Sequence, residues 1–257
     1  RSEKAKKNIV ILFLLQVFNF FTLMAIVPLT LNYLGKTDYG IWLTLASILN
    51  WLINLDFGLG NGLRNKLAEA FALNDIKLAR FYISTAYAVF TIGIAAAFII
   101  YVTIHGLLNW GNILQAPDGY TSLLNSLVLY VIILFLVHFL LKLIASVINA
   151  DQKPALNGGL SLIINTITLI GIYLLSKYAQ PSLTLFGLVS SGIPVLVFFI
   201  ASIILFGGYF RNISPSLKYV NLEYSSSLVK LGMQFFVIQI SSLIVFTSGN
   251  IIITQLY

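Results

Sequence analysis

A histidine and a lysine stand four residues apart inside a long apolar run, His138 and Lys142. That spacing puts them on one helix face, with Asn149 one heptad past Lys142. Ionisable groups at membrane depth face a cavity or a partner helix and mark substrate paths. A His–Lys face is suited to an anion. Lys142 lies close enough to Ile148 for its long stem to snorkel toward an interface, whereas His138, one turn deeper, reaches less easily. Amides and hydroxyls form further stripes at helical spacing. They are Gln16, Asn19 and Thr22; Ser47, Asn50 and Asn54; Asn157, Ser161, Asn165 and Thr168; and Gln234, Ser241 and Ser248, with Gln239 and Ser242 beside them. Singly, each reads as a helix–helix hydrogen bond worth about 0.6 kcal/mol. So many polar faces in one bundle point instead to a shared water-filled cavity.

Asp56 opens the run Asp56-Phe-Gly-Leu-Gly-Asn-Gly-Leu-Arg64. Glycines weaken a helix, so the run reads as a helix break with Asp56 as a cap. A phosphate-cradling loop is a poorer reading, because no strand precedes it. Beyond it Leu63, Leu67 and Phe71 alternate with Arg64, Lys66 and Glu69, which predicts a short amphipathic helix at the membrane interface. No metal cluster is expected, since there is no Cys and the only histidines are His105 and His138. No carboxylate pair or nucleophile–His–Asp set is visible in the outer loops. The chain therefore does not read as an enzyme.

The elements that position these groups follow from composition. Of 257 residues, 59% are hydrophobic and only 9% charged, against roughly 25% for a soluble domain. Mean hydropathy is +0.95. A soluble enzyme, a disordered chain and a disulfide-stapled module are excluded. A bilayer core of about 30 Å needs roughly 20 apolar residues in a helix. Seven such runs occur: Asn8–Leu31, Tyr39–Leu55, Phe81–His105, Thr121–Ile148, Gly158–Ser176, Thr184–Gly207 and Leu228–Leu256. The first is too long for a signal peptide's apolar region and lacks a small-residue cleavage site. The predicted fold class is an all-α polytopic membrane protein.

The charges sort by side. Arg1, Lys4, Lys6, Lys7, Arg64, Lys66, Lys77, Arg80, Lys153, Arg211, Lys218 and Lys230 fall on one side. Only Lys36 and Lys177 fall on the other. Cations mark cytoplasmic loops, so the N terminus is expected in the cytoplasm. The net charge of +7 and pI of about 9.5 are then topological and carry no implication of nucleic acid.

Transporters are often built from repeats. Lys7, Gln16 and Asn19 in the first run recur as Lys230, Gln239 and Ser242 in the seventh, at a constant offset of 223. The seventh run thus restarts the first. The expectation is a six-helix bundle over residues 1–210, then a cytoplasmic connection and the first helix of a second bundle over 211–257. Starting without Met and stopping at Tyr257, the chain reads as a fragment of a longer protein.

Tyr33-Leu-Gly-Lys-Thr-Asp-Tyr-Gly-Ile-Trp42, Leu55-Asp-Phe-Gly-Leu-Gly-Asn-Gly-Leu-Arg64 and Leu67-Ala-Glu-Ala70 resemble the N-terminal signature of polysaccharide and O-antigen flippases. These belong to the multidrug/oligosaccharidyl-lipid/polysaccharide exporter superfamily. The resemblance is specific over roughly residues 28–75. It implies twelve or more helices in two bundles around a central cavity, in the inner membrane. It also implies alternating-access transport of undecaprenyl-pyrophosphate-linked oligosaccharide for surface polysaccharide and lipopolysaccharide synthesis. On that reading His138, Lys142 and Arg64 hold phosphate, and Asn19, Asn50, Asn54, Asn165 and Gln239 meet sugar. Asp56 is a candidate coupling site for a proton or Na⁺. No cofactor is expected. Partners are the lipid-linked substrate, membrane lipids, and a polysaccharide polymerase and glycosyltransferases. The alternatives are an ion-coupled drug or cation antiporter of the same superfamily and, from another class, a seven-helix receptor or scaffold.

Overall fold

The computed structural model describes the backbone of residues 2–54 and 58–256, with side chains over 10–52 and 58–242. Among the described residues the chain is helical throughout, with no strand. Helix α1 (Ser2–Asn54) leads to α2 (Leu59–Ala72), α3 (Ile76–His105), the single turn α4 (Trp110–Ile113) and α5 (Thr121–Leu141). Next come α6 (Leu143–Ala150), α7 (Pro154–Tyr178), α8 (Leu183–Gly207), two 3₁₀ turns, and α9 (Leu222–Leu256).

The seven apolar runs map onto these helices with one revision, in the fourth. The first two share α1, whose apolar stretch from Val10 to Leu52 is 43 residues long. At 1.5 Å per residue it would reach about 65 Å if straight, twice a bilayer core. Gly35, at φ 76° and ψ 173°, breaks it into two crossings. Only glycine adopts that backbone cheaply. The fourth run divides at Lys142 into α5 and α6, still one continuous crossing from Thr121 to Ala150.

Helix ends reflect local chemistry. The Asp75 carboxylate accepts from the Leu78 amide at 2.8 Å and starts α3. Pro154 opens α7 at a position where its missing N–H costs nothing. The Ser182 hydroxyl caps α8.

The core forms two clusters. At the basic end Leu63, Leu67, Ile83, Ile144, Ile148 and Phe210 pack together. At the opposite end Tyr33, Leu45, Leu124, Leu127, Ile172 and Phe186 do so. Outward faces carry Phe13, Phe18, Phe21, Ile99 and Ile203 exposed. Such a surface is stable only in lipid.

Helix α2 is amphipathic as expected, and its apolar face meets protein. Leu63, Leu67 and Ala70 are fully buried against α3, α6 and α9. Its glycines explain the packing. Gly58 starts the helix in the left-handed region at φ 65°. Gly62 lies against α9, where a Cβ would sit 3.1 Å from the Leu228 carbonyl oxygen and 3.2 Å from the Gly232 nitrogen. This is the close backbone approach that small residues four apart permit.

The connection between α8 and α9 is tied to α3. The Ser84 hydroxyl accepts from the Ser216 amide at 3.1 Å. Thr85 exchanges two hydrogen bonds with the Asn221 backbone. Arg80 donates to the Ser214 carbonyl and covers the Tyr219 ring at 4.2 Å.

Replacing Gly62 by Leu should force α2 and α9 apart and destabilise the fold by about 1–3 kcal/mol. Thermal unfolding in detergent measures this. An unchanged midpoint would show that the close approach is not required.

Candidate functional site

Lys142 stands at the junction of α5 and α6. Its backbone is helical (φ −61°, ψ −17°) and its amide donates to the His138 carbonyl at 2.8 Å, so the crossing continues from α5 into α6. Lys142, Ser146 and Asn149 then share one face at i, i+4 and i+7. They line a cleft of about 240 Å³ together with Asn61 from α2, Asn157 from α7 and Gln239 from α9. Phe90 and Phe139 form its apolar wall. Lys142 is half-buried and lines this cleft. An anion bearing hydroxyls is the ligand this lining suits: one cation for charge, amides that donate and accept, and one hydroxyl.

His138 is drawn elsewhere. It lines a second cleft of about 150 Å³ with Trp42, Asn50, Phe135, Ser190, Ser191 and Pro194. Its ring lies 5.4 Å from that of Phe198, and its buried Nε2 has no hydrogen-bond partner. The Ser190 hydroxyl is buried and unpartnered too. Pro194 lacks the amide that would have bonded the Ser190 carbonyl, which loosens α8 beside this cleft. Thus His138 and Lys142, one turn apart, open into neighbouring cavities.

The remaining predicted residues scatter. Asn165 donates to Asn19 at 2.6 Å across α7 and α1, so these two amides satisfy each other. Arg64 is exposed on α2 and lines neither cleft. Asp56 and the side chain of Asn54 lie outside the described residues. Sequence reasoning missed Asn61, Ser146, Ser190 and Ser191 as site residues, and noted Asn149 and Asn157 as polar stripe residues without assigning them to the site. Ser146 was legible, four residues after Lys142. Asn61 was hidden in the glycine run.

The opposite end carries tertiary ties. Tyr33 donates to the Gln180 carbonyl at 2.9 Å, and Tyr120 to Asp38 at 2.7 Å. The Asp38 carboxylate, accepting that bond, raises the Tyr120 pKa. Trp110 donates to His105 Nδ1 at 3.2 Å, and the Tyr101 hydroxyl sits 2.8 Å from the same nitrogen. The clefts beside Lys142 and His138 thus belong to the middle and basic end of the helices.

The architecture has solved counterparts. The MATE transporter VcmN of Vibrio cholerae, in its bent form, superposes with a TM-score of 0.70 at 17% identity. That match covers 98% of this chain and 57% of that one. A mutant of VcmN superposes with a TM-score of 0.67 at 18% identity, over 90% of this chain and 52% of that one. The chain has a MATE-like fold. It spans about half the length of these transporters. No protein-family model and no curated protein sequence matches it.

Double-mutant cycling of Asn19→Ala and Asn165→Ala should give a coupling energy of about 0.6 kcal/mol in thermal unfolding. Additive single effects would show that the two amides do not bond in the membrane.

Proposed function

We propose that this chain is part of a transporter that moves lipid-linked oligosaccharide repeat units across the cytoplasmic membrane by alternating access. The observation that carries the reading is the lining of the Lys142 cleft. It offers a cation, four amides and a hydroxyl, and no described lining residue is a carboxylate. A pyrophosphate bearing a glycan needs that set. Lys142 meets the phosphate charge. Asn61, Asn149, Asn157 and Gln239 hydrogen-bond sugar hydroxyls. His138, in the adjoining cleft, serves the anion from one turn deeper. Arg64, exposed on α2, meets it at entry. Asn50 adds an amide beside His138, while the Asn19–Asn165 pair holds α1 against α7. The basic end faces the cytoplasm, where lipid-linked precursors are built, and the clefts belong to that half. Transport is driven by a proton or Na⁺ gradient, with Asp56 the candidate coupling residue. A polymerase and glycosyltransferases are the functional partners.

The second reading is an ion-coupled drug or cation antiporter of the same superfamily. The MATE-like fold favours it. The cleft disfavours it, because a cationic drug beside Lys142 would meet repulsion with no described carboxylate to offset it.

Lys142→Ala in the full-length protein tests the reading. Removing a charge-assisted hydrogen bond costs about 1.5–3 kcal/mol, so export should fall roughly 10- to 100-fold. Lys142→Arg should retain part of it. The measurement is surface polysaccharide at matched membrane expression. Unchanged export in Lys142→Ala would remove Lys142 from the substrate site.

A further inference from the structure

The polar cleft has an apolar neighbour. Phe90 and Phe139, which wall the Lys142 cleft, also line a trough of about 430 Å³ between α3 and α5. The trough runs past Gly93, Ile94 and Ala97 on α3 and Leu136 on α5, with Phe236 of α9 at its edge. We infer that this trough holds the first few units of the polyisoprenoid chain of the carried molecule, next to the headgroup, while its pyrophosphate sits beside Lys142. The inference rests on the proposed substrate class and deepens it: the chain is carried by protein as well as by the bilayer.

Three observations support this. The two cavities share a wall, so a headgroup in one leaves its chain at the mouth of the other. Their chemistries are opposite: every described residue lining the trough is apolar, and hydrocarbon gains about 0.8 kcal/mol per buried methylene there. One amphiphile satisfies both cavities, whereas a free sugar phosphate leaves the trough empty. The trough is also open where a side chain would block it. A Cβ built on Gly93 meets no heavy atom within 4 Å. An apolar cavity of about 150 Å³ already admits a benzene ring, so a branched hydrocarbon chain fits here. The amides of the cleft favour a glycan-bearing headgroup over an ordinary phospholipid.

The test uses the full-length protein in phosphatidylcholine nanodiscs. Two probes are titrated: an undecaprenyl-pyrophosphate-linked sugar and a short-chain analogue with the same headgroup. The long-chain probe should bind at least about tenfold more tightly, a difference that fewer than two buried methylenes supply. Gly93→Phe, which fills the trough, should remove that advantage and leave short-chain binding unchanged. Retained short-chain binding also reports that the variant is folded. Ala97→Phe, one turn on, should behave alike. Lys142→Ala should weaken both probes. If both filled variants bind the long chain normally while Lys142→Ala still weakens both probes, the trough assignment falls and the functional reading stands. If excess phosphatidylglycerol displaces the long-chain probe at equal concentration, ordinary lipid fills the trough and the assignment falls. If neither probe binds the unaltered protein, the functional reading falls and takes the inference with it.

Discussion

A lysine cannot lie in hydrocarbon alone. At the centre of a membrane helix it costs about 2.5–3.5 kcal/mol on insertion scales, and that cost shapes the basic half of this bundle. Lys142 sits where α5 gives way to α6, half-buried beside a cleft. Polar groups from α2, α6, α7 and α9 converge on it. Helix α2 reaches the site because its glycines let α9 approach closely. The long crossings on either side are conventional membrane helices. Their departures from regularity are at Gly35, Gly58, Lys142 and the prolines.

Much of the fold was legible because lipid leaves the backbone few choices. Every long apolar run became helix, and the runs from Phe81 to Gly207 ended close to the observed boundaries. The first two runs read as separate crossings, and the non-helical backbone at Gly35 separates them. Periodicity could not say what the apolar face of α2 meets. Leu63, Leu67 and Phe71 define an apolar face equally well for lipid and for protein. The spacing of Gly58 and Gly62 held the distinguishing signal, four residues apart as in close helix crossings.

The site was legible in part. Lys142, Asn149, Asn157 and Gln239 were visible as polar residues at helical spacing, and they share a cleft. His138 lay on the same predicted face as Lys142 yet lines another cavity, with residues of α1 and α8 around it. Asn19 and Asn165 carry the same amides as a ligand-binding pair, and only their bond across α1 and α7 sets them apart. The repeated pattern in α1 and α9 shows the same limit. Asn19 bonds another helix, while its counterpart Ser242 bonds the Ile238 carbonyl of its own helix.

The proposed lipid-linked sugar and the alternative, a cationic drug, carry opposite charge, so transport of one against the other tests the proposal. The most direct measurement is translocation by the purified full-length protein in liposomes. A fluorescent lipid-linked oligosaccharide and a lipophilic fluorescent cation are compared under an imposed ion gradient. The account predicts that the lipid-linked sugar changes leaflet and the cation stays where it was added. Movement of the cation without the sugar would contradict it.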